Sequence, residues 1–124
     1  MKSPFFNDVY SPTDKPSKPN DLTVPTVQKD SMVLTWQPPS NTGGSDITAY
    51  IIEKRDAKRN TWTQVEKVPG TALTCDVPKL LEGNEYFFRV SAENKVGRGD
   101  AVEMESPVKA KSMFGKCGRN IPLK

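Results

Sequence analysis

The sequence predicts an all-β fold, a sandwich of two sheets assembled from seven short strands. From residue 21 onward, short runs alternate apolar and polar residues with a period of two, which is typical of strands with one buried face. Turn-forming sequences rich in glycine and proline separate these runs. No segment carries an apolar stripe at helical spacing with capping residues at its ends. Together these observations favour a sandwich or barrel over any helical class.

The first four predicted strands lie before residue 66. They are "DLTV" (residues 21–24), "SMVLTW" (31–36), "ITAYIIEKR" (47–55) and "WTQV" (62–65). In the second run Met32, Leu34 and Trp36 share one face, because side chains alternate between the two sides of a strand. In the third run Tyr50 and Ile52 share a face in the same way. Large aromatic and branched side chains at such positions predict the dry side of a sheet.

The remaining three predicted strands follow residue 72. They are "LTCDV" (73–77), "EYFFRVSAEN" (85–94) and a last strand that follows the turn "KVGRGDA" (95–101). The alternation places Cys75 on the same face as Leu73 and Val77. Glu103 and Glu105 lie two residues apart on one face of the last strand, where a surface ladder of carboxylates explains them better than an active site.

The chain length of 124 residues leaves room for one domain with loose ends. Residues 1–18 are rich in proline, serine and lysine and predict an extended linker, because proline removes backbone donors. Residues 19–112 are predicted to form the domain. Residues 113–124 show no alternation and are predicted to be a C-terminal tail or the start of another linker.

Composition and charge exclude several classes of partner. The net charge is +3 with both signs interspersed, so we expect no nucleic-acid binding, which would need a clustered basic face. No apolar run approaches the length of a membrane span and no signal-peptide core precedes the domain, so we expect no membrane partner. Cys75 is expected to be a core thiol and Cys117 a tail thiol, which fits a reducing intracellular setting.

The inventory of reactive residues predicts a protein that is not an enzyme. The chain contains no histidine, so triads, metal sites and proton relays that need histidine are excluded. Its two cysteines are too few and too distant in sequence for a zinc-knuckle pattern. No phosphate-binding glycine loop precedes a helical segment. We therefore expect no catalytic residues, no metal and no cofactor.

Two longer motifs resemble the fibronectin type III family. They are "SMVLTWQPPSNTGGSDITAYIIEKR" and "LLEGNEYFFRVSAENKVGRG", and the resemblance covers residues 19–111. It implies a seven-stranded immunoglobulin-like β-sandwich. It also implies that a set of large residues forms the structural core: Trp36, Tyr50, Leu80, Tyr86, Phe88 and Val90. Tyr86 follows a glycine-bearing turn, where a tyrosine corner would direct its hydroxyl to the backbone of the preceding loop.

The same motifs are similar to the type III modules of titin, twitchin and related giant muscle proteins. That resemblance implies a structural and protein-interaction module, in the cytoplasm at the sarcomere or cytoskeleton. The module would act as a spacer and docking surface among neighbouring immunoglobulin-like and type III modules, and would be monomeric in isolation. Its partner surface is expected on exposed residues of the sheet that carries "ITAYIIEKR" and "EYFFRVSAEN", together with the loops.

Two charged groups are candidate interaction sites. Arg98, Gly99 and Asp100 form the tripeptide that integrins recognise in adhesion proteins of this family, so an extracellular adhesion module is the alternative function. Without adhesion, Gly99 is a turn glycine that permits positive φ, and Arg98 and Asp100 are solvated charges. The second group is a basic edge, which a solvated hairpin also explains; its residues are Lys54, Arg55, Lys58 and Arg59.

Overall fold

A computed structural model describes residues 13–112, and these residues form strands only. The strands are β1 (Asn20–Val27), β2 (Met32–Gln37), β3 (Ala49–Asp56), β4 (Thr63–Pro69), β5 (Thr74–Val77), β6 (Glu85–Glu93), β7 (Arg98–Glu103) and β8 (Val108–Lys109). The predicted tail, the first twelve residues of the predicted linker and Cys117 lie outside the described residues. Over the described range we find no helix with the length and apolar character that a bilayer crossing requires.

The strands form two antiparallel sheets. One contains three strands in the order β1-β2-β5, and the other has the order β4-β3-β6-β7, with β8 also paired to β6. The pairing of β3 with β6 runs from Ala49 opposite Glu93 to Asp56 opposite Tyr86 without a register shift. The predicted fold class, an immunoglobulin-like β-sandwich, is confirmed.

The seventh predicted strand is present in two pieces. Both β7 and β8 pair with β6, and residues 104–107 separate them. Met104 still donates its backbone N–H to the carbonyl of Phe88 at 3.1 Å, so hydrogen bonding to β6 continues into the gap between β7 and β8. Pro107 has no N–H to donate and restricts the residue before it, which explains why the ladder is interrupted there.

The edge strand β4 is longer than the predicted run. It continues through Glu66 and Lys67 to Pro69, and so includes the first two residues of "VPGTA" (68–72), whose proline and glycine predict a break in the chain. The sequence pattern does not predict this extension, because Glu66 and Lys67 are both charged and the alternation of apolar and polar residues is lost there. A register shift of β4 against β3 at Ile52 accompanies the irregular pattern.

The inner faces of the two sheets enclose one apolar cluster. Its buried members are Met32, Leu34, Trp36, Tyr50, Ile52, Cys75, Val77, Leu80, Tyr86, Phe88, Val90, Ala92 and Ala110. The rings of Trp36 and Tyr50 lie 5.5 Å apart in a tilted arrangement, which aromatic pairs prefer. Within residues 13–112 the indole N–H of Trp36 has no acceptor, although a buried indole usually finds one.

Tyr86 connects the core to the loop before β6. Its ring is 5% exposed, and its hydroxyl oxygen accepts the backbone N–H of Leu81 at 2.9 Å. Leu80 beside it is buried and donates its own N–H to the carbonyl of Asp30, in the connection between β1 and β2, at 2.9 Å. The hydroxyl thus satisfies a backbone donor that the strand ladder does not reach.

Tyr86→Phe keeps the ring but leaves the partly buried N–H of Leu81 without its acceptor, so we expect a loss of about 1–3 kcal/mol in the free energy of unfolding. Urea denaturation measures this loss, and the slope with urea should stay unchanged. A variant as stable as the parent chain would show that the bond does not hold the loop.

Candidate functional site

The last residues of the predicted linker are bonded to the sandwich. Asp14 donates its backbone N–H to the carbonyl of Gly43 at 2.8 Å, and Ser17 donates to the carbonyl of Asn41 at 2.8 Å. The hydroxyl of Ser17 also accepts the N–H of Asn41 at 3.1 Å. Residues 14–17 therefore run along the β2–β3 loop, and Pro16 in this segment is buried.

Asn94 holds this N-terminal segment against two loops. The side chain is 3% exposed, and its amide N–H groups donate to the carbonyls of Asp14 at 2.6 Å and Thr42 at 2.9 Å. Its amide oxygen accepts the backbone N–H of Val96 at 2.9 Å and of Gly97 at 3.3 Å. One side chain thus joins the N-terminal segment, the β2–β3 loop and the β6–β7 turn.

Two glycines make room for the N-terminal segment. A Cβ atom on Gly43 would lie 2.0 Å from the carbonyl oxygen of Asp14, and this glycine has a φ of +82°. A Cβ atom on Gly99 would lie 1.9 Å from the carbonyl oxygen of Pro16. Real Cβ atoms do not approach so closely. The glycine of the Arg-Gly-Asp tripeptide is therefore explained by close packing, and the expectation that it provides a positive φ is wrong for Gly99.

The tripeptide lies in a strand and not at the tip of a turn. Arg98 begins β7 opposite Glu93, and the bend between β6 and β7 is formed by residues 95–96. Arg98 donates a guanidinium N–H to the carboxylate of Glu53, so the expectation of a solvated charge is wrong for this residue. Asp100 is exposed. The three residues thus have three different environments.

Glu53 is the centre of an ion-pair network on the outer face of the larger sheet. It is 8% exposed, and the same carboxylate oxygen accepts Nε of Arg89 at 2.7 Å as well as the guanidinium of Arg98. Burial raises the pKa of Glu53, but the hydrogen bonds and positive charges of the two arginines outweigh it and lower the pKa below its ordinary value of 4.5. The network connects β3, β6 and β7.

The network covers a polar residue on β6. Because β6 lies between β7 and β3, the pair of Arg98 with Glu53 spans β6 at Ser91, the outward-facing residue of that stretch. Ser91 is fully buried, and its hydroxyl has no hydrogen-bond partner within residues 13–112. The long side chains above it therefore exclude solvent from the middle of this outer face.

Arginines and aromatic rings alternate next to this network. The guanidinium of Arg89 lies 4.3 Å from the ring centre of Trp62. That of Arg55 lies 5.4 Å from the ring centre of Trp62 and 4.5 Å from that of Phe87. Both rings are half-buried. The order Phe87, Arg55, Trp62, Arg89 forms a continuous cation–π stack across the outer face.

The structure does not bring the predicted basic edge together on one face. Lys54 and Arg55 are neighbours in β3, so their side chains lie on opposite sides of the sheet. The ammonium of Lys54 lies 5.9 Å from the ring centre of Tyr86, which faces the core. Arg55 donates to the backbone carbonyl of Arg59 at 2.6 Å, and Lys58 and Arg59 are exposed in the β3–β4 loop.

Reactive chemistry is sparse in the described part of the chain. Residues 13–112 hold no group of three or more acidic or cysteine side chains that would bind a metal ion. Cys75 is buried, and burial, followed by the negative charges of Glu66 and Asp76, raises the pKa of its thiol to about 11. The thiol is therefore protonated at neutral pH and is a weak nucleophile.

Comparisons with known proteins identify relatives that match most of the described region. Residues 17–108 match a sequence model of the fibronectin type III domain. The chain is 43% identical over 91 residues to titin of Drosophila melanogaster. This alignment covers 73% of the chain and, in rounded terms, 0% of that protein. It is 37% identical over 108 residues to human slow-type myosin-binding protein C, which covers 86% of the chain and 9% of that protein. The chain thus spans less than a tenth of these relatives.

A solved structure of titin domains A168–A170 has the same architecture. It superposes with a TM-score of 0.74 at 36% sequence identity, covering 80% of this chain and 33% of the titin fragment. The resemblance to titin-like type III modules that the sequence predicted is therefore confirmed.

The ion-pair network predicts a pH-dependent stability. Because the folded pKa of Glu53 is lowered, its ionised form stabilises the fold above the unfolded pKa, and this contribution is lost as the pH falls through the folded pKa. We expect Glu53→Gln to be less stable than the parent chain at pH 7. The difference in the free energy of unfolding between the two chains should shrink as the pH falls below the ordinary glutamate pKa value of 4.5.

Urea denaturation between pH 7 and pH 3 measures this difference. Glu82→Gln removes the same charge from an exposed loop position outside the network and separates the loss of charge from the loss of the network. A difference between parent and Glu53→Gln that stays constant with pH would show that the network does not hold the carboxylate ionised.

The close packing at Gly99 gives another prediction. Gly99→Ala forces its Cβ into the carbonyl of Pro16, so we expect a loss of about 1–3 kcal/mol in the free energy of unfolding. Amide exchange at Ser17 should become faster. Ser17 lies in the same N-terminal segment as Pro16, and its N–H is protected by its bond to the carbonyl of Asn41 in the β2–β3 loop. Asp100→Ala, at the exposed neighbouring position, should change the free energy by less than ~0.5 kcal/mol. Unchanged exchange at Ser17 in Gly99→Ala would refute the packing argument.

Proposed function

The chain belongs to the fibronectin type III family, and from this we propose that it is a structural and protein-interaction module of a multidomain, titin-like sarcomeric or cytoskeletal protein. In this role it is a spacer between neighbouring immunoglobulin-like and type III modules and a surface on which other proteins dock. The isolated domain is monomeric, and it needs no cofactor. It acts without catalysis and without contacts to nucleic acid or membrane.

The anchored N-terminal segment is the observation that carries the spacer role. A spacer must fix the direction in which the chain enters it, because a flexible entry would uncouple it from the preceding module. Here the chain is bonded to two loops as early as Asp14, through Asn94 and the backbone of Gly43. The entry path is therefore part of the domain and not of a free linker.

The relatives support a location in muscle. One is titin, and another is named as a myosin-binding protein. We therefore propose that the chain acts in the cytoplasm at the sarcomere. For docking, the outer face of the β4-β3-β6-β7 sheet offers rigid arginine and aromatic side chains, which are enriched at protein interfaces.

The adhesion alternative has weaker support from the geometry. An integrin would need the guanidinium of Arg98 and the carboxylate of Asp100 on a projecting tip. Instead, Arg98 is paired with the buried Glu53, and Gly99 lies against Pro16. Binding at the tripeptide would first have to break the Glu53 network, whose buried carboxylate would then lose one of its two partners.

The location of the chain in muscle cells tests the proposed function. The full chain, fused to a fluorescent protein and expressed in striated muscle cells, is expected to give a periodic pattern aligned with the sarcomeres. Trp36→Ala removes the largest core side chain and destabilises the fold. It is the control that shows whether the periodic pattern requires a folded domain. A diffuse distribution of the folded parent chain would contradict the proposal.

Cell attachment to the immobilised chain tests the alternative in parallel. We expect no attachment above background, and no change in Asp100→Ala. Attachment that disappears in Asp100→Ala would instead establish the adhesion role, because Asp100 is exposed and its replacement leaves the Glu53 network intact.

A further inference from the structure

We propose that one end of the outer face of the β4-β3-β6-β7 sheet docks an acidic, extended segment of a partner protein. This inference rests on the docking role proposed above and assigns the surface and the chemistry of its partner. We call the surface the arginine–ring patch. It consists of the stacked residues Arg55, Trp62, Phe87 and Arg89 and of Lys58 and Arg59, which are exposed in the adjoining β3–β4 loop.

The patch is held in place before any partner arrives. Arg55 lies between two rings and donates to the backbone carbonyl of Arg59 at 2.6 Å. Arg89 lies over Trp62 and is fixed from the other side by its bond to Glu53 at 2.7 Å. Long side chains lose conformational entropy when binding immobilises them, and this loss weakens binding. In this patch the side chains of Arg55 and Arg89 are already ordered by contacts within the domain.

The charge of the patch is positive. It contains four cationic side chains, and over residues 13–112 the one carboxylate within salt-bridge distance of any of them is Glu53, which already serves both Arg89 and Arg98. Glu103, opposite Arg89 on β7, marks the limit of the positive area towards that edge. The complementary surface is therefore acidic.

The spacing of the two central arginines fits a strand-like ligand. Arg55 is paired with Phe87, so Arg89 occupies the diagonal position on the neighbouring strand. The Cα atoms of such diagonal neighbours are ~7–8 Å apart. In an extended peptide, side chains on one face repeat every ~6.6–6.8 Å. Carboxylates at alternate positions of an extended segment would therefore be in register with the two arginine positions, with the residues between them facing away.

A second copy of the chain is a poor occupant of the same patch. Two patches brought together around a two-fold axis would oppose cation to cation, which is unfavourable at contact distance. A partner segment with glutamate or aspartate at alternate positions meets the same surface without repulsion. Guanidinium–carboxylate pairs are also among the stronger hydrogen bonds that a protein surface offers.

Titration of the full 124-residue chain with a synthetic decapeptide of alternating glutamate and threonine tests the proposal. We expect saturable chemical-shift changes at the indole N–H of Trp62 and at the Nε–H of Arg55 and Arg89. Arg55→Gln and, independently, Arg59→Gln should each weaken binding about fivefold. Lys67→Gln is the matched control, because Lys67 lies on the edge strand β4 outside the patch, and it should bind the peptide as the parent chain does.

Three results would overturn the proposal. The first is an absence of saturable shifts, and the second is equal binding of a decapeptide in which lysine replaces glutamate. The third is equal weakening by Lys67→Gln, which would show general charge attraction. Because Arg59 is exposed, Arg59→Gln remains informative even if Arg55→Gln unfolds. If the parent chain does not bind the peptide but still aligns with the sarcomeres, the docking patch is refuted and the proposed function is not. If the parent chain binds the peptide but is distributed diffusely in muscle cells, the muscle location is refuted and the docking patch is not.

Discussion

The unbroken pairing of β3 with β6 is the constraint on which both faces of the domain depend. Over eight successive positions its register is fixed, so every second residue of both strands is directed to the core and the others to the outer face. Tyr50 and Phe88 therefore contribute to the dry layer, while Glu53 and Arg89 meet on the other side. A slip of one residue would bury the ion pair and expose the rings.

The same register explains how a buried carboxylate is tolerated on an outer face. Glu53 lies in the central part of the sheet with Arg89 directly opposite, and Arg98 reaches it across β6. Two cations for one carboxylate satisfy the buried charge and cover Ser91 beneath them. The outer face is thus partly dry without being apolar, and this makes it stiff enough to hold the neighbouring stack of rings and guanidiniums.

The sequence pattern predicts most of the strands of the fold but few of the contacts at the candidate site. Period-two alternation was sufficient for the strands that line the core, because Met32, Leu34 and Trp36 alternate cleanly with smaller or polar residues. It failed in β4, where charged residues follow one another, and it did not separate β7 from β8 at Pro107. Local pattern carries no information on contacts between distant segments.

The site depends on such distant contacts. The pair of Glu53 with Arg98 and the bond of Asn94 to Asp14 join residues 45 and 80 positions apart. Short motifs therefore suggested the wrong role for Gly99, whose neighbour Pro16 is remote in sequence. Alternation did contain a usable signal for the outer face, since it directs Glu53 and Arg55 to the same side of β3.

The separate positions of the two tryptophans give the molecule two optical reporters. Trp36 is enclosed in the dry layer, whereas Trp62 lies half-buried between two guanidinium groups at the surface. The chain has no other indole, so its fluorescence is the sum of one apolar and one charged environment. A rearrangement confined to the surface changes one emission component alone, and global unfolding changes both. The native chain can therefore distinguish these events without an added dye.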